Sequence, residues 1–302
     1  MRSAVKHIAE RALIVSGVAA ANRRRMHGRS LVLAYHNVLP PGAASIGDLP
    51  NHLPLATFAA QLAALRETHD VVPLAELLTA GAPTSRRPRA AITFDDAYRG
   101  AVEHGVPELV RQGLPATIFV APAFLGGRSF WWDALATRAD GLEPALRDRA
   151  LHELRGDDGA VRAWASAAGR PVAALPSEWC AASEAELLRA AQGGITLGSH
   201  SWSHPNLTRL EPDELSRELA RPLEWLRERV PIPSPFIAYP YGLHDRTVRL
   251  AAERAGYQGA LAIDGGWLPA VSPDRYALPR VNVPPGLSLP GFVLRGAGLL
   301  TG

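Results

Sequence analysis

From Leu31 onward, short apolar runs alternate with helix-patterned stretches, the order that builds a parallel sheet or barrel covered by helices. The runs expected to be strands are Leu31 to Tyr35, Ala90 to Phe94, Ala116 to Val120, Ile195 to Ser199, Phe236 to Tyr239, Gly259 to Ile263 and Leu278 to Val283. Between them, Thr57 is placed to cap a helix whose Phe58, Leu62 and Leu65 share a face. Ser183 and Glu186 form a capping box before Leu187 and Leu188. A helix from about Asp213 to Arg229 carries Pro222, which should kink it. Two stretches break the alternation. Residues 40–54 are rich in proline and glycine and read as a long loop, and residues 125–182 hold Trp131, Trp132, Trp164 and Trp179 in an insertion large enough to cover a site.

The first residues follow another pattern. Val5, Ile8, Ala9, Ala12 and Leu13 recur at helical spacing with Arg2, Lys6 and Arg11 around them, which predicts a short amphipathic helix. It would either dock on its own domain or touch a membrane surface. The organisation expected is therefore 1–28 as an N-terminal amphipathic helix with a basic flank, and 29–302 as one catalytic domain with its insertion at about 125–182. A cleaved signal peptide is the second reading. Glu10 inside the apolar segment and Arg23, Arg24 and Arg25 just after it weigh against it. On the first reading the protein sits in the cytoplasm or at the inner membrane face.

Composition narrows the functional classes. A net charge of +3 over 302 residues, with the arginines spread along the chain, argues against a nucleic-acid partner. The single cysteine, Cys180, excludes an internal disulfide framework and a cysteine-rich zinc site. No apolar run approaches the roughly 20 residues of a spanning helix.

In a parallel barrel or open sheet the functional groups gather at the carboxyl ends of the strands. Here those ends read Tyr35-His36-Asn37, Asp95-Asp96, Ser199-His200 and Tyr239-Pro240-Tyr241-Gly242. Asp95 and Asp96 should point to opposite sides if the extended geometry persists, one towards a metal and the other towards a water, although adjacent aspartates also cap helices. His200 and His204 are four apart, as on one face of a helical turn, and with Asp96 they offer two imidazoles and a carboxylate with a position left for water. Trp131, Trp132, Trp202 and Tyr241 suit stacking on sugar faces or, equally, core packing. Asp133 is a candidate partner for a sugar hydroxyl.

The segments AITFDDAYRG, LGSHSWSHPNL and FIAYPYG resemble, in order and separation, the first three motifs of the polysaccharide deacetylase (NodB-homology) family, carbohydrate esterase family 4. The leading YHNV and the late LPRVNV resemble its subgroup acting on exopolysaccharides that contain N-acetylglucosamine. The resemblance implies a distorted (β/α) barrel and a divalent metal, most often zinc, with cobalt or nickel as alternatives. It implies Asp95 as general base, Asp96, His200 and His204 as metal ligands, and a backbone N–H at Tyr241 facing the developing oxyanion. Three departures stand out. The late histidine of the family is absent, Leu278-Pro279-Arg280 standing in its place, so His36 is the expected general acid and His244 the runner-up. Ala97 follows the aspartates where glycine is usual. Ala238 replaces the arginine that orients the base, a role for which Arg280 is the candidate.

The expected activity is metal-dependent removal of N-acetyl groups from a polysaccharide or lipid-linked oligosaccharide. The alternatives are an O-acetyl esterase or deformylase on a glycan, or a glycan-binding domain without turnover.

Overall fold

The computed structural model describes residues 2–26, 28–79, 87–137, 141–269 and 274–300. All seven expected runs are strands: β1 (Ser30–Tyr35), β2 (Arg89–Phe94), β3 (Thr117–Val120), β4 (Thr196–Ser199), β5 (Phe236–Ala238), β6 (Gly259–Gly265) and β7 (Leu278–Asn282). Every pairing among them is parallel, and β7 returns to β1 to close a barrel. Every residue of β1 and of β3 is buried, as a parallel strand must be when one face looks into the barrel and helices cover the other.

The barrel is distorted at two places that matter for the site. One edge of β2 is shared: its start pairs with the two-residue strand Asp70–Val71 and its end with β3. Between β6 and β7 the register slips, Leu278 facing Leu261 but Arg280 facing Gly265. Pro279, which has no N–H for a ladder, lies at the slip. A bulge of this kind re-aims neighbouring side chains, and Arg280 donates through Nε to the Ala262 carbonyl it leaves bare.

Side chains inside the barrel follow the strand period of two. Val32, Ala91, Phe119, Phe236, Ala238, Leu261 and Leu278 fill its lower part as one apolar cluster. Above Ala91 come Thr93 and then Asp95, and above Leu278 come Arg280 and then Asn282. The polar layer thus sits at the carboxyl end of the barrel on an apolar floor.

The helices depart from expectation in detail. Leu55–Thr68 begins before Thr57, with Pro54 flanking its first turn, so Thr57 lies inside the helix and caps nothing. Phe58, Leu62 and Leu65 are buried as the pattern predicts. The Ser183–Glu186 capping box is present before Glu184–Gln192. Pro222 lies within Pro212–Arg229.

The stretch expected to be a long loop closes on itself as a short parallel pair, Asn37–Leu39 with His52–Pro54. It is stitched to the insertion: Trp179 Nε1 donates to Ile46 O (3.0 Å), Asn37 Nδ2 to Glu178 O (2.9 Å) and the Asp48 N–H to Asp133 Oδ1 (2.7 Å).

The N-terminal helices Arg2–Val15 and Val18–Arg25 rest on Leu289–Arg295 near the carboxyl terminus. Ser288 Oγ donates to Glu10 Oε2 (2.6 Å), Asn22 Nδ2 donates to Ala297 O (2.7 Å), and Ala19 packs with Leu294 and Ala297. The face that docks is thus the one bearing Glu10. Ile8 and Leu13, from the expected apolar stripe, are 69% and 40% exposed.

Candidate active site

The carboxyl-end loops of β1 to β5 converge on one cavity, lined by His36, Asn51, Asp95, Asp96, Trp132, Arg147, Leu151, His200, His204, Tyr241, Gly242, Ile263 and Asn282. Asp95 continues the inward positions of β2. Asp96 does not point the other way, because the chain turns left-handed at Asp96 (φ 68°) and Ala97 (φ 54°) and brings both carboxylates to the same cavity. Alanine therefore occupies, at some strain, a conformation that glycine enters without cost.

His200 and His204 also converge by a route the spacing did not foretell. Residues 200–204 form no helix; left-handed residues at Ser201 (φ 61°) and His204 (φ 57°) fold the segment into a turn that Ser201 Oγ closes on the His204 N–H (3.0 Å). His200 Nδ1 donates to the Ala238 carbonyl (2.8 Å), which leaves the Nε2 lone pair facing the cavity. Nε2 of His200 lies 3.5 Å and Nε2 of His204 3.1 Å from Asp96 Oδ1, and the two nitrogens are 3.1 Å apart.

These separations suit a cation. Ligand atoms about 2.1 Å from a tetrahedral ion lie roughly 3.4 Å from one another. All three residues are buried, and Asp96 Oδ1 makes no hydrogen bond among the described residues. Burial holds the His204 imidazole down to about 4 and lowers that of His200, so both are neutral lone-pair donors at pH 7. Burial raises the Asp96 carboxyl to about 6, against the pull of His200 and His36. Two neutral imidazoles and a desolvated carboxylate with an unpartnered oxygen form a donor set that fits a divalent metal.

The second aspartate has the opposite environment. Arg280, fully buried, grips Asp95 with two parallel hydrogen bonds, NH1 to Oδ1 and NH2 to Oδ2, each 2.8 Å, and NH1 also reaches Thr93 Oγ1 (3.2 Å). Burial alone would push the Asp95 carboxyl up, but the charge of Arg280, then that of His200, and the Arg280 hydrogen bonds hold it well below the usual carboxylate range. Arg280 thus reaches Asp95 from β7, two strands around the barrel from Ala238, in the two-point geometry anticipated for it.

His36 lines the cavity beside both carboxylates, its pKa lowered by burial against the pull of Asp95 and Asp96. His244 lies outside the cavity lining and packs on the Tyr239 ring (5.0 Å between centroids). Trp132 and Tyr241 form a wall, their rings 4.9 and 4.5 Å from that of His204. Trp131 Nε1 donates to the Tyr241 hydroxyl (3.1 Å), behind that wall. Trp202 faces away from the cavity, under the guanidinium of Arg221 at 3.9 Å.

Asp133 corrects the expectation of a sugar contact. It is fully buried and its oxygens are taken: Oδ1 accepts from His52 Nε2 (2.8 Å) and the Asp48 N–H (2.7 Å), and Oδ2 from the Tyr98 hydroxyl (2.6 Å). Sequence reasoning did not single out Asn51, Arg147, Leu151 or Asn282, all of which line the cavity. Only Asn282 had a signal, being two residues beyond Arg280 on an inward-facing strand.

A family model for polysaccharide deacetylases matches residues 82–260, which include both aspartates and both histidines. The chain belongs to the polysaccharide deacetylase family. Among curated relatives of this chain, a putative polysaccharide deacetylase of Bacillus subtilis is 26% identical over 203 residues, 67% of this chain. The match spans 53% of that relative, so the chain covers about half the length of the curated relative it matches. Solved structures share the fold: IcaB from Ammonifex degensii (TM-score 0.62, 19% identity, 89% of this chain and 97% of that one), and the Streptococcus pyogenes deacetylase PplD in complex with acetate (TM-score 0.61, 17% identity, 88% and 96%).

Proposed function

We propose that this polysaccharide deacetylase hydrolyses N-acetyl groups on a polysaccharide or lipid-linked oligosaccharide of the N-acetylglucosamine type, releasing acetate. The observation that carries the reading is the juxtaposition, in one cavity, of an arginine-clamped carboxylate with an unpartnered carboxylate and two neutral imidazoles. Asp96, His200 and His204 would hold a divalent metal, zinc in preference to cobalt or nickel, which supplies Lewis acidity towards water and the carbonyl oxygen.

The protein's own groups account for the remaining steps. Asp95, ionised and fixed by Arg280, accepts the proton of the attacking water. The Tyr241 backbone N–H faces the oxyanion that develops on the acetyl carbonyl. His36, beside Asp95 and Asp96, passes on to the departing amine the proton that Asp95 takes from the water. Trp132 and Tyr241 give the sugar ring an aromatic wall. Arg280 holds Asp95 although the third motif lacks its arginine, which supports turnover over a glycan-binding domain. PplD was solved with acetate, the product proposed here. Acetate release should therefore appear with N-acetylated oligosaccharides and zinc, and should vanish with a chelator. Turnover of O-acetylated or formylated sugars in place of N-acetylated ones would reassign the substrate class, and binding without acetate release under any divalent metal would refute the proposal.

We propose further that the protein works in the cytoplasm or at the inner membrane face, a location for which the surface of its N-terminal helices is the support. Among the described residues no helix is long and apolar enough to cross a membrane. The N-terminal helices expose Ile8, Val15 and Val18 beside Arg11, Arg24 and Arg25, while their one carboxylate, Glu10, is buried against Ser288. Apolar side chains among cations suit an anionic membrane surface. Sedimentation with anionic but not neutral vesicles supports that location, and equal recovery with both removes it.

A further inference from the structure

Helix Pro212–Arg229 passes beside the turn that carries the two histidines, and Glu218 meets that turn with both its side chain and its backbone. Glu218 Oε2 accepts from the Ser203 N–H (2.8 Å) and the Trp202 N–H (3.0 Å), and Oε1 from Ser203 Oγ (2.7 Å). The Trp202 N–H is shared with the Glu218 backbone carbonyl (3.1 Å). In an uninterrupted helix that carbonyl would be bonded to the N–H four residues on. That residue is Pro222, which has no N–H, so the carbonyl is left for Trp202. Arg221, from the same helix, covers the Trp202 ring at 3.9 Å.

The turn requires such restraint. Ser201 and His204 both adopt left-handed backbone that residues with a Cβ disfavour, and such a conformation persists only where its surroundings over-determine it. Trp202 and Ser203, the residues Glu218 grips, lie between those two strained positions.

Resting on the metal reading above, we infer that Glu218 is a positioning residue for the metal centre, and that Pro222 serves it by releasing the Glu218 carbonyl to the same turn. Glu218 touches neither ligand side chain. It fixes the backbone between them, so that Nε2 of His200 and Nε2 of His204 arrive together at Asp96 Oδ1.

The test is equilibrium zinc affinity by chelator competition, with the visible spectrum of the cobalt-loaded protein, on the wild type and on Glu218→Ala, Glu218→Gln and Pro222→Ala. Glu218→Ala should weaken zinc binding by about 10- to 100-fold and alter the cobalt bands. The rise in melting temperature on adding zinc should shrink with it. Glu218→Gln should restore most of the affinity, since an amide oxygen can accept both N–H groups while the amide nitrogen donates to Ser203 Oγ. Pro222→Ala returns an in-helix donor to the Glu218 carbonyl and should weaken zinc binding by roughly a few-fold although it favours the helix. The inference is overturned if Glu218→Ala keeps wild-type zinc affinity and cobalt spectrum, or if metal-free and zinc-loaded Glu218→Ala lose melting temperature equally. A wild type that binds neither zinc nor cobalt overturns the metal reading itself, and this inference with it.

Discussion

Among the described residues, two buried clusters of histidine and aspartate both touch Trp132, one through the His204 ring and the other through the Tyr98 hydroxyl, and they are built on opposite principles. In His52–Asp133 every carboxylate oxygen has a donor, from His52 Nε2, the Asp48 N–H and the Tyr98 hydroxyl, and Asn37 Nδ2 contacts His52 Nδ1 at 3.1 Å. In Asp96–His200–His204 the polar atoms converge on one another, with Asp96 Oδ1 lacking a hydrogen bond among the described residues and the backbone held in left-handed turns. Burying unpaired polar atoms and strained backbone is costly, and where the two gather in one cavity a ligand that completes them offsets the cost. Satisfaction, more than residue type, separates the staple from the site.

That contrast can be broken or sharpened in several ways, beginning with the strongest. Arg280→Met leaves Asp95 buried without its counter-charge. We expect about 3–5 kcal/mol lower stability by denaturant unfolding. With the guanidinium gone, burial raises the Asp95 pKa, so the acid limb of the acetate-release profile should move to higher pH. An unmoved limb would dissociate Arg280 from the base.

Asp133→Ala strips three donors of their acceptor and should cost about 3 kcal/mol. Zinc affinity, read by chelator competition, should stay near wild type if that cluster is only a staple. A large loss of affinity would merge the two clusters into one functional unit.

A smaller effect is set by pH. Asp96, raised to about 6, takes a proton first as the pH falls, and His204, held at about 4, takes one later. Both protons must leave before a metal binds, so zinc affinity should be flat above about pH 6 and fall by roughly tenfold per unit just below it. Affinity independent of pH between 4 and 6 would contradict this ligand set. Least of all, Tyr98→Phe removes the hydroxyl that joins Asp133 to Trp132 Nε1 (2.7 Å) and should cost about 1–2 kcal/mol, with a modest rise in KM as the Trp132 wall loosens.

Much of this was legible in the sequence, for reasons that lie in periodicity. The barrel strands follow from short, mostly apolar runs, buried on both faces in β1 and β3, and the candidate site residues follow from their position at the strand ends. Arg280 could be nominated because the family's usual arginine was missing and a guanidinium stood two strands away. What escaped was tertiary. The left-handed turns at Asp96, Ala97, Ser201 and His204 have no local signature, since none of those residues is glycine. Asp133 next to two tryptophans looks like a sugar contact until the 40–54 segment is seen to supply two of its three donors. The docked face of the first helix was misjudged because its decisive contact is a hydrogen-bonded carboxylate, Glu10, and not the apolar stripe.

In the proposed mechanism Asp95 is the base beside, and apart from, the Asp96–His200–His204 metal site. Acetate release and zinc affinity measured side by side for the wild type and Asp95→Asn test it most directly. Release should fall by about 10²–10⁴-fold while zinc is bound as tightly as in the wild type. Undiminished release by the zinc-loaded variant would contradict it.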